Sequence, residues 1–300
     1  MTFSTRAPAP RMAALTVLSL LVLAGPAFPQ SNVIGYWSPI FDEDFLERIP
    51  GPDIGDYAGL PITEAARRRA NTWEASLLTL PEHTCKPHPS TYGFRGVGTL
   101  RIWEERDPQT QQLLKLNTHI EWMTQLREIW MDGREHPSEF EPHTWQGFST
   151  GRFEGDVLVV RTTHLKAGWM RRNGLPFSDR ATMTERFIRH GDLLTHVMMI
   201  ADPVYLSEPL VKTNGFALVE GGSIDTYPCR PAVEVPRAPG EVPHHGIDEL
   251  EHITEFPERH GLPVEAAQGG AVTALPEYMS QLPSMPVTEP VEGGGGGFGR

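Results

Sequence analysis

The chain has 300 residues with 26 Lys and Arg against 38 Asp and Glu, a formal net charge of −12. That balance excludes the basic face with which proteins track nucleic-acid phosphates, so no nucleic-acid partner is expected. All-β barrels and sandwiches fill roughly 200–250 residues as one unit, which makes one core domain with tails more economical than two domains.

Residues 1–30 read as a signal peptide rather than part of the fold. Arg6 and Arg11 precede the apolar run Met12 to Ala24, and the small residues Gly25 and Ala27 mark a cut after Ala27. The run is shorter than the roughly 20 residues that span a bilayer, and no later stretch is apolar enough to span one. No Cys follows the leader to carry a lipid, and no Arg-Arg pair points to twin-arginine export. The expected location is therefore periplasmic or secreted. In such an oxidising compartment Cys85 and Cys229, the only cysteines, are most simply a disulfide closing a long loop.

Ser31 to Gly59 has no steady period and reads as an extended arm. TEAARRRANTWEASLLTL predicts a helix from about Thr63 to Leu78, with Thr63 as N-cap and Ala66, Ala70, Trp73 and Leu77 on one face. From Thr99 the period changes to two. TLRIWEE, LKLNTHIEWM and QLREIWMDG predict three strands, followed by the pairs TWQGFSTGRF with DVLVVRTTHL and ATMTERFIRH with DLLTHVMMIA, then LVKTNGFALVE. About eight short-linked strands without βαβ alternation predict a mainly β fold: an antiparallel up-and-down barrel resembling the lipocalin-like class, with a β-sandwich as the alternative. The single β-rich domain takes residues 31–231. Residues 232–300, rich in Pro and Gly and ending in GGGGGFGR, predict a loosely ordered tail with short helices in GIDELEHITEF and ALPEYMSQL.

Chemistry-bearing residues concentrate between Trp130 and Tyr205. A two-residue turn at Glu154-Gly155 would set Trp145 opposite His164, Gly147 opposite Thr162 and Ser149 opposite Val160, a Trp–His pairing suited to a small-molecule pocket. A turn at Gly191-Asp192 would set Phe187 opposite His196 and Glu185 opposite Met198. Glu185 and His196 then lie diagonally on one face, within hydrogen-bond reach, as an acid–base pair or a structural ion pair. Between the hairpins, THLKAGWMRRNGLPFSD brings Trp169, Arg171, Arg172, Asn173 and Asp179, a stacking plane, two cations, an amide and a carboxylate able to close a cavity mouth. Ser149 and Ser178 stand on no strained elbow, so a serine hydrolase is not indicated. His83 and His88 about Cys85, His136 with His143, and His245, Glu249 and His252 are the histidine groups with some metal-ligand character. None has a familiar spacing, and neither metal nor cofactor is expected.

DYAGLPITEAARRRA (56–70), LPEHTCKPHP (80–89), IWMDGREHP (129–137), HTWQGFSTGRFEGDVLVV (143–160), WMRRNGLPFSD (169–179) and ERFIRHGDLLT (185–195) form an ordered motif series. In this series the chain resembles an uncharacterised family of exported bacterial proteins, over about Tyr57 to Leu210. The resemblance implies export and one β-rich domain but no activity. Phe153 departs from it, standing where the family pattern has Trp.

The functional expectation is an exported β-barrel binding a small, partly apolar ligand, with Trp145, His164, Trp169, Arg171, Arg172, Asn173 and Asp179 near its pocket. The alternative is an enzyme of the lyase, isomerase or hydrolase type, using Glu185 with His196, or His164 with Asp179, as general acid and base. A third reading is a structural or interaction protein. Nothing in the sequence specifies the oligomeric state.

Overall fold

The computed structural model describes residues 1–2, 33–41, 45–48, 51–74, 76–77, 80, 86–227, 236–247, 249 and 251–287. The expected leader cleavage site and the expected Cys85–Cys229 disulfide lie outside the described residues.

The period-two stretches all become strands, and hydrogen bonding joins them into a closed barrel. In chain order these are β1 (Gly35–Ile40), β2 (Leu100–Arg106), β3 (Leu113–Ile120), β4 (Gln125–Trp130), β5 (Phe148–Glu154) and β6 (Val157–Thr163). A two-stranded excursion, β7 (Gly168–Trp169) with β8 (Pro176–Phe177), precedes β9 (Thr182–His190), β10 (Leu193–Ala201) and β11 (Leu210–Leu218). Nine strands form the ring, and β1, expected as part of a loose arm, closes it by pairing with both β2 and β11. Chain-order neighbours pair around the ring in up-and-down fashion with one exception. Strand direction must return to itself around a closed ring, so nine strands cannot all be antiparallel to their neighbours. The odd pair is β4–β5, which runs parallel with Ile129 opposite Ser149, and parallel neighbours require a crossover. Residues 131–147 supply it.

Alternation along β9 and β10 is regular: Met183, Glu185 and Phe187 point in, as do Leu194, His196, Met198 and Ile200. Two apolar clusters make up the core. One contains Trp37, Leu116, Ile129, Leu158, Phe187 and Phe216; the other contains Leu165, Met170, Phe177, Met183, Met198 and Ile200. Three strands contribute to both and have a buried polar residue at the change: Glu185 between Phe187 and Met183, His196 between Leu194 and Met198, and Asn214 between Phe216 and Leu210. A polar layer thus divides the two cores.

The β9–β10 register is as expected, with His196 opposite Phe187 and Met198 opposite Glu185. The β5–β6 register is not. Its turn residues are Gly155 and Asp156, with Gly155 at φ +63, so Ser149 faces Thr162 rather than Val160, and pairing begins only at Phe148 opposite Thr163. A shift of two keeps every facing but removes the Trp145–His164 and Gly147–Thr162 pairs.

Helix α1 (Glu64–Ala70) starts as read, the Thr63 hydroxyl accepting from the Ala66 amide at 3.2 Å. It stops at Asn71 instead of running to Leu78, because Trp73 turns away to pack on Gly174, where an added Cβ would lie 2.4 Å from the Trp73 side chain. A second short helix, α2 (Ser90–Gly93), is buried throughout and delivers Phe94 into the first core cluster. Part of the expected loose tail is docked: α3 (Glu255–His260), α4 (Val264–Gln268) and α5 (Pro276–Met279) follow one another. Tyr57 and Gly59 amides donate to the carbonyls of Ala267 and Gly270 at 2.9 and 3.0 Å, and Ala266 and Ala267 are buried. Two small side chains and backbone bonds suffice because the partner surface is the 53–62 segment, not a core of the tail's own. No helix among the described residues is long and apolar enough to cross a membrane.

Candidate functional site

Two places gather polar side chains out of water. The first is the layer inside the barrel. Arg127 of β4 lies 3 % exposed and Glu185 and His196 are fully buried, so each charge must be paired or the fold would lose several kcal/mol. The pairing is complete. Arg127 Nη1 donates to Glu185 Oε1 at 2.9 Å, Nη2 to the other carboxylate oxygen and to Thr162 Oγ1, and Nε to Ser149 Oγ at 3.0 Å. Asn214 Nδ2 donates to His196 Nδ1 at 3.1 Å, which leaves the proton on Nε2 to donate to Glu185 Oε1 at 3.0 Å. Burial alone pushes the Glu185 carboxyl up, but the Arg127 guanidinium and the His196 hydrogen bond outweigh it and hold its pKa down at about 2. The His196 ring is enclosed by Phe94 and Phe187, each with a ring centroid at 4.6 Å. The free space beside Arg127 is about 10 Å³, the size of one water, so a ligand does not enter here. Chemically this layer is an ion pair with its orienting hydrogen bonds, closed to substrate.

The second place is a cleft of about 660 Å³ outside the barrel, within the range of roughly 300–1,000 Å³ typical of small-molecule sites. Its apolar walls include Trp73, Leu77, Trp145, Trp169, Phe177 and Tyr205. The β7–β8 hairpin presents Trp169 and Phe177, and its base is fixed by buried Asp202, which accepts from the Ser178 amide and hydroxyl at 2.6 and 2.8 Å. Gly174 sits at φ +86 with Trp73 against it, a close approach that only a glycine permits. On the far side His245 hydrogen-bonds through its amide to Thr72 O at 3.2 Å and through Nε2 to Glu74 at 2.7 Å. Lys86 and Lys166 stand over the Trp145 ring at 4.9 and 5.1 Å.

His88 forms part of the cleft lining and is 7 % exposed. Its ring lies among Trp122, Trp169 and Tyr92, at centroid distances of 4.4, 5.0 and 5.3 Å. Its imidazole nitrogens make no hydrogen bond among the described residues, whereas its carbonyl accepts from Gln146 Nε2 at 2.7 Å. Burial drives the imidazole pKa down to about 3, with the Arg172 guanidinium acting in the same direction. The ring is therefore neutral at ordinary pH and carries one donor and one acceptor.

The residues singled out from the sequence separate into five locations. Trp145, Trp169 and Asp179 line the cleft. Arg171 and Asn173 instead hold the 53–56 turn, Arg171 Nη1 donating to Asp56 O at 3.1 Å and Asn173 Nδ2 to Asp53 O at 3.0 Å. Arg172 lies behind the cleft with its guanidinium 5.8 Å from the Trp122 ring centroid. His164 lines a separate recess of about 330 Å³, and no hydrogen bond or ion pair joins it to Asp179 among the described residues. Its Nε2 donates to Ser138 O at 2.7 Å, so its Nδ1 accepts from Thr163 Oγ1 at 2.7 Å; Thr163 Oγ1 in turn accepts from His136 Nδ1 at 2.7 Å. Glu185 and His196 meet as expected, in the barrel and away from both openings.

Sequence reasoning passed over Arg127, Trp73 and Phe177, and weighed His88 only as a metal ligand. Arg127 had a legible signal: it shares strand parity with Gln125 and Ile129, opposite exposed Leu126 and Glu128. The cleft was legible only in part, because its walls come from segments near residues 73, 88, 145, 169 and 245. No protein-family model matches this chain, and no similar curated protein or solved structure was found for it.

Proposed function

We propose that this protein is an exported β-barrel that binds a small, partly apolar ligand in the cleft outside the barrel. The observation that carries the reading is the cleft itself, a volume of about 660 Å³ walled by Trp73, Trp145, Trp169 and Phe177 and lined by His88, whose ring makes no hydrogen bond among the described residues. An apolar enclosure with a few convergent polar groups is the usual form of a small-molecule site. The acid–base enzyme is less well supported: Glu185 is committed to Arg127, and the pair is enclosed on all sides by Phe94, Phe187 and the strands.

The test is incubation of the purified mature protein with aromatic, lipid and sterol candidates, read by native mass spectrometry and by quenching of tryptophan emission. A retained molecule whose binding falls at least tenfold in Trp169→Ala supports the reading. No retained molecule in any class, or equal retention by Trp169→Ala, contradicts it. Export rests on the Met12 to Ala24 run with its small residues. A mature chain starting at Phe28 in the periplasmic or external fraction is the expected result, and a full-length cytoplasmic chain the contrary one.

A further inference from the structure

We propose that the ligand carries an uncharged hydroxyl on a ring, and that His88 is the residue that recognises it. This rests on the cleft being the binding site.

A buried polar group without a hydrogen-bond partner destabilises the fold, and the other buried histidines, His164 and His196, each have both ring nitrogens hydrogen-bonded. His88 lies more than nine-tenths buried, lines the cleft, and has neither nitrogen bonded among the described residues. The surrounding rings of Trp122, Trp169 and Tyr92 offer its nitrogens no oxygen acceptor, and the Tyr92 hydroxyl is directed elsewhere, donating to Arg48 O at 2.8 Å. His88 lines the cleft, so the cleft is the side from which a ligand can supply the partner.

The charge state of His88 then selects the partner's chemistry. Trp122, Trp169 and Tyr92 desolvate the imidazolium, and Arg172 repels it. A neutral imidazole carries its N–H and its bare nitrogen on different edges of the ring, so one ligand oxygen meets one of them; a carboxylate can only accept from the N–H and has no proton for the bare nitrogen. A hydroxyl can give and accept. The indole, phenyl and proline walls take a flat or alicyclic ring. Arg69 and Asp179, also on the lining, are exposed, where a charge contributes little to affinity.

The experiment is isothermal titration of the full mature chain with three probes of one shape: 2-naphthol, 2-methoxynaphthalene and 2-naphthoate. The expected result is 2-naphthol binding about tenfold more tightly than the ether, equivalent to about 1.4 kcal/mol, with the anion weakest. His88→Leu brings naphthol and ether within twofold of each other, while His88→Gln, which restores a donor and an acceptor, keeps a preference. The preference stays flat from pH 8 to pH 5. Equal affinities for naphthol and ether in the wild type, a preference surviving His88→Leu, tightest binding of naphthoate, or affinity rising on acidification would each overturn the assignment of His88. If all probes bind equally and Trp169→Ala abolishes them, the cleft stands and only the hydroxyl recognition falls. If none binds, both fall. Should His88→Leu fail to fold, His88→Gln and the pH series in the wild type carry the decision.

Discussion

His196 and His88 are both buried against aromatic rings, yet they stand in opposite conditions. His196 receives a hydrogen bond from Asn214, gives one to Glu185, and belongs to a layer in which Arg127, Ser149 and Thr162 are also satisfied. His88 has its ring stacked and its nitrogens unbonded among the described residues. The first arrangement has its charges paired within the fold and leaves no room for a ligand. The second is completed only from outside. Density of charged and polar residues, the feature most visible in the sequence, marks architecture here, and a missing partner marks the candidate site.

The largest effect should come from breaking the complete arrangement. Glu185→Leu leaves Arg127 buried without its counter-charge and should cost about 3–5 kcal/mol in urea unfolding, while Arg127→Met combined with Glu185→Leu recovers most of that loss. If the double variant is as unstable as the sum of the singles, the layer is not a coupled ion pair. Gly174→Ala comes next. Its φ of +86 and the Trp73 side chain 2.4 Å from a new Cβ predict a loss of about 3 kcal/mol and weaker probe binding, since the cleft wall must shift. Unchanged stability and binding would mean that Trp73 is not held as described.

Acid sharpens the comparison further. The His88 pKa is lowered from 6.5 to about 3 in the fold, so the unfolded chain binds a proton that the folded chain refuses. Stability is then full above pH 6.5 and falls as the pH drops toward 3, by about 2 kcal/mol at pH 5. His88→Leu should remove most of this slope, leaving the smaller contributions of His119 and His136, whose values are lowered mainly by partial burial. The Glu185 contribution appears lower, present above pH 4.5 and lost as the pH falls toward 2. An identical slope from pH 7 to pH 5 in wild type and His88→Leu would show that His88 is not desolvated. The smallest effect is expected at the crossover: Arg134→Ala loses an exposed pair with Asp132 and a stack 3.4 Å over Trp130, together below about 1 kcal/mol in the same unfolding assay.

Much of the barrel was legible because a period of two survives local noise. Every strand from Leu100 onward was anticipated except the short β7–β8 pair, and the Gly191-Asp192 turn placed Glu185 beside His196 from counting alone. The β1 strand was missed because GYWSPI contains Pro and lacks alternation; it is held by partners far along the chain, such as Leu218 opposite Trp37. The misplaced β5–β6 turn shows how a single residue in a Glu-Gly-Asp sequence moves every cross-strand partner by two. The motif residues Arg171 and Asn173 read as ligand contacts and instead fix the 53–56 turn, because hydrogen bonds to Asp53 and Asp56 are invisible in sequence order. For the same reason the cleft was half seen: Trp145 and Trp169 were named, but Trp73, Phe177 and the role of His88 depend on segments meeting in space.

The claim that function lies in the cleft and not in the barrel is tested most directly by NMR of ¹⁵N-labelled histidine side chains, recorded with and without 2-naphthol. The His88 nitrogens should shift on addition of the probe, while His196 keeps its Nε2-protonated pattern in both spectra. A shift of His196 with His88 unmoved would contradict it.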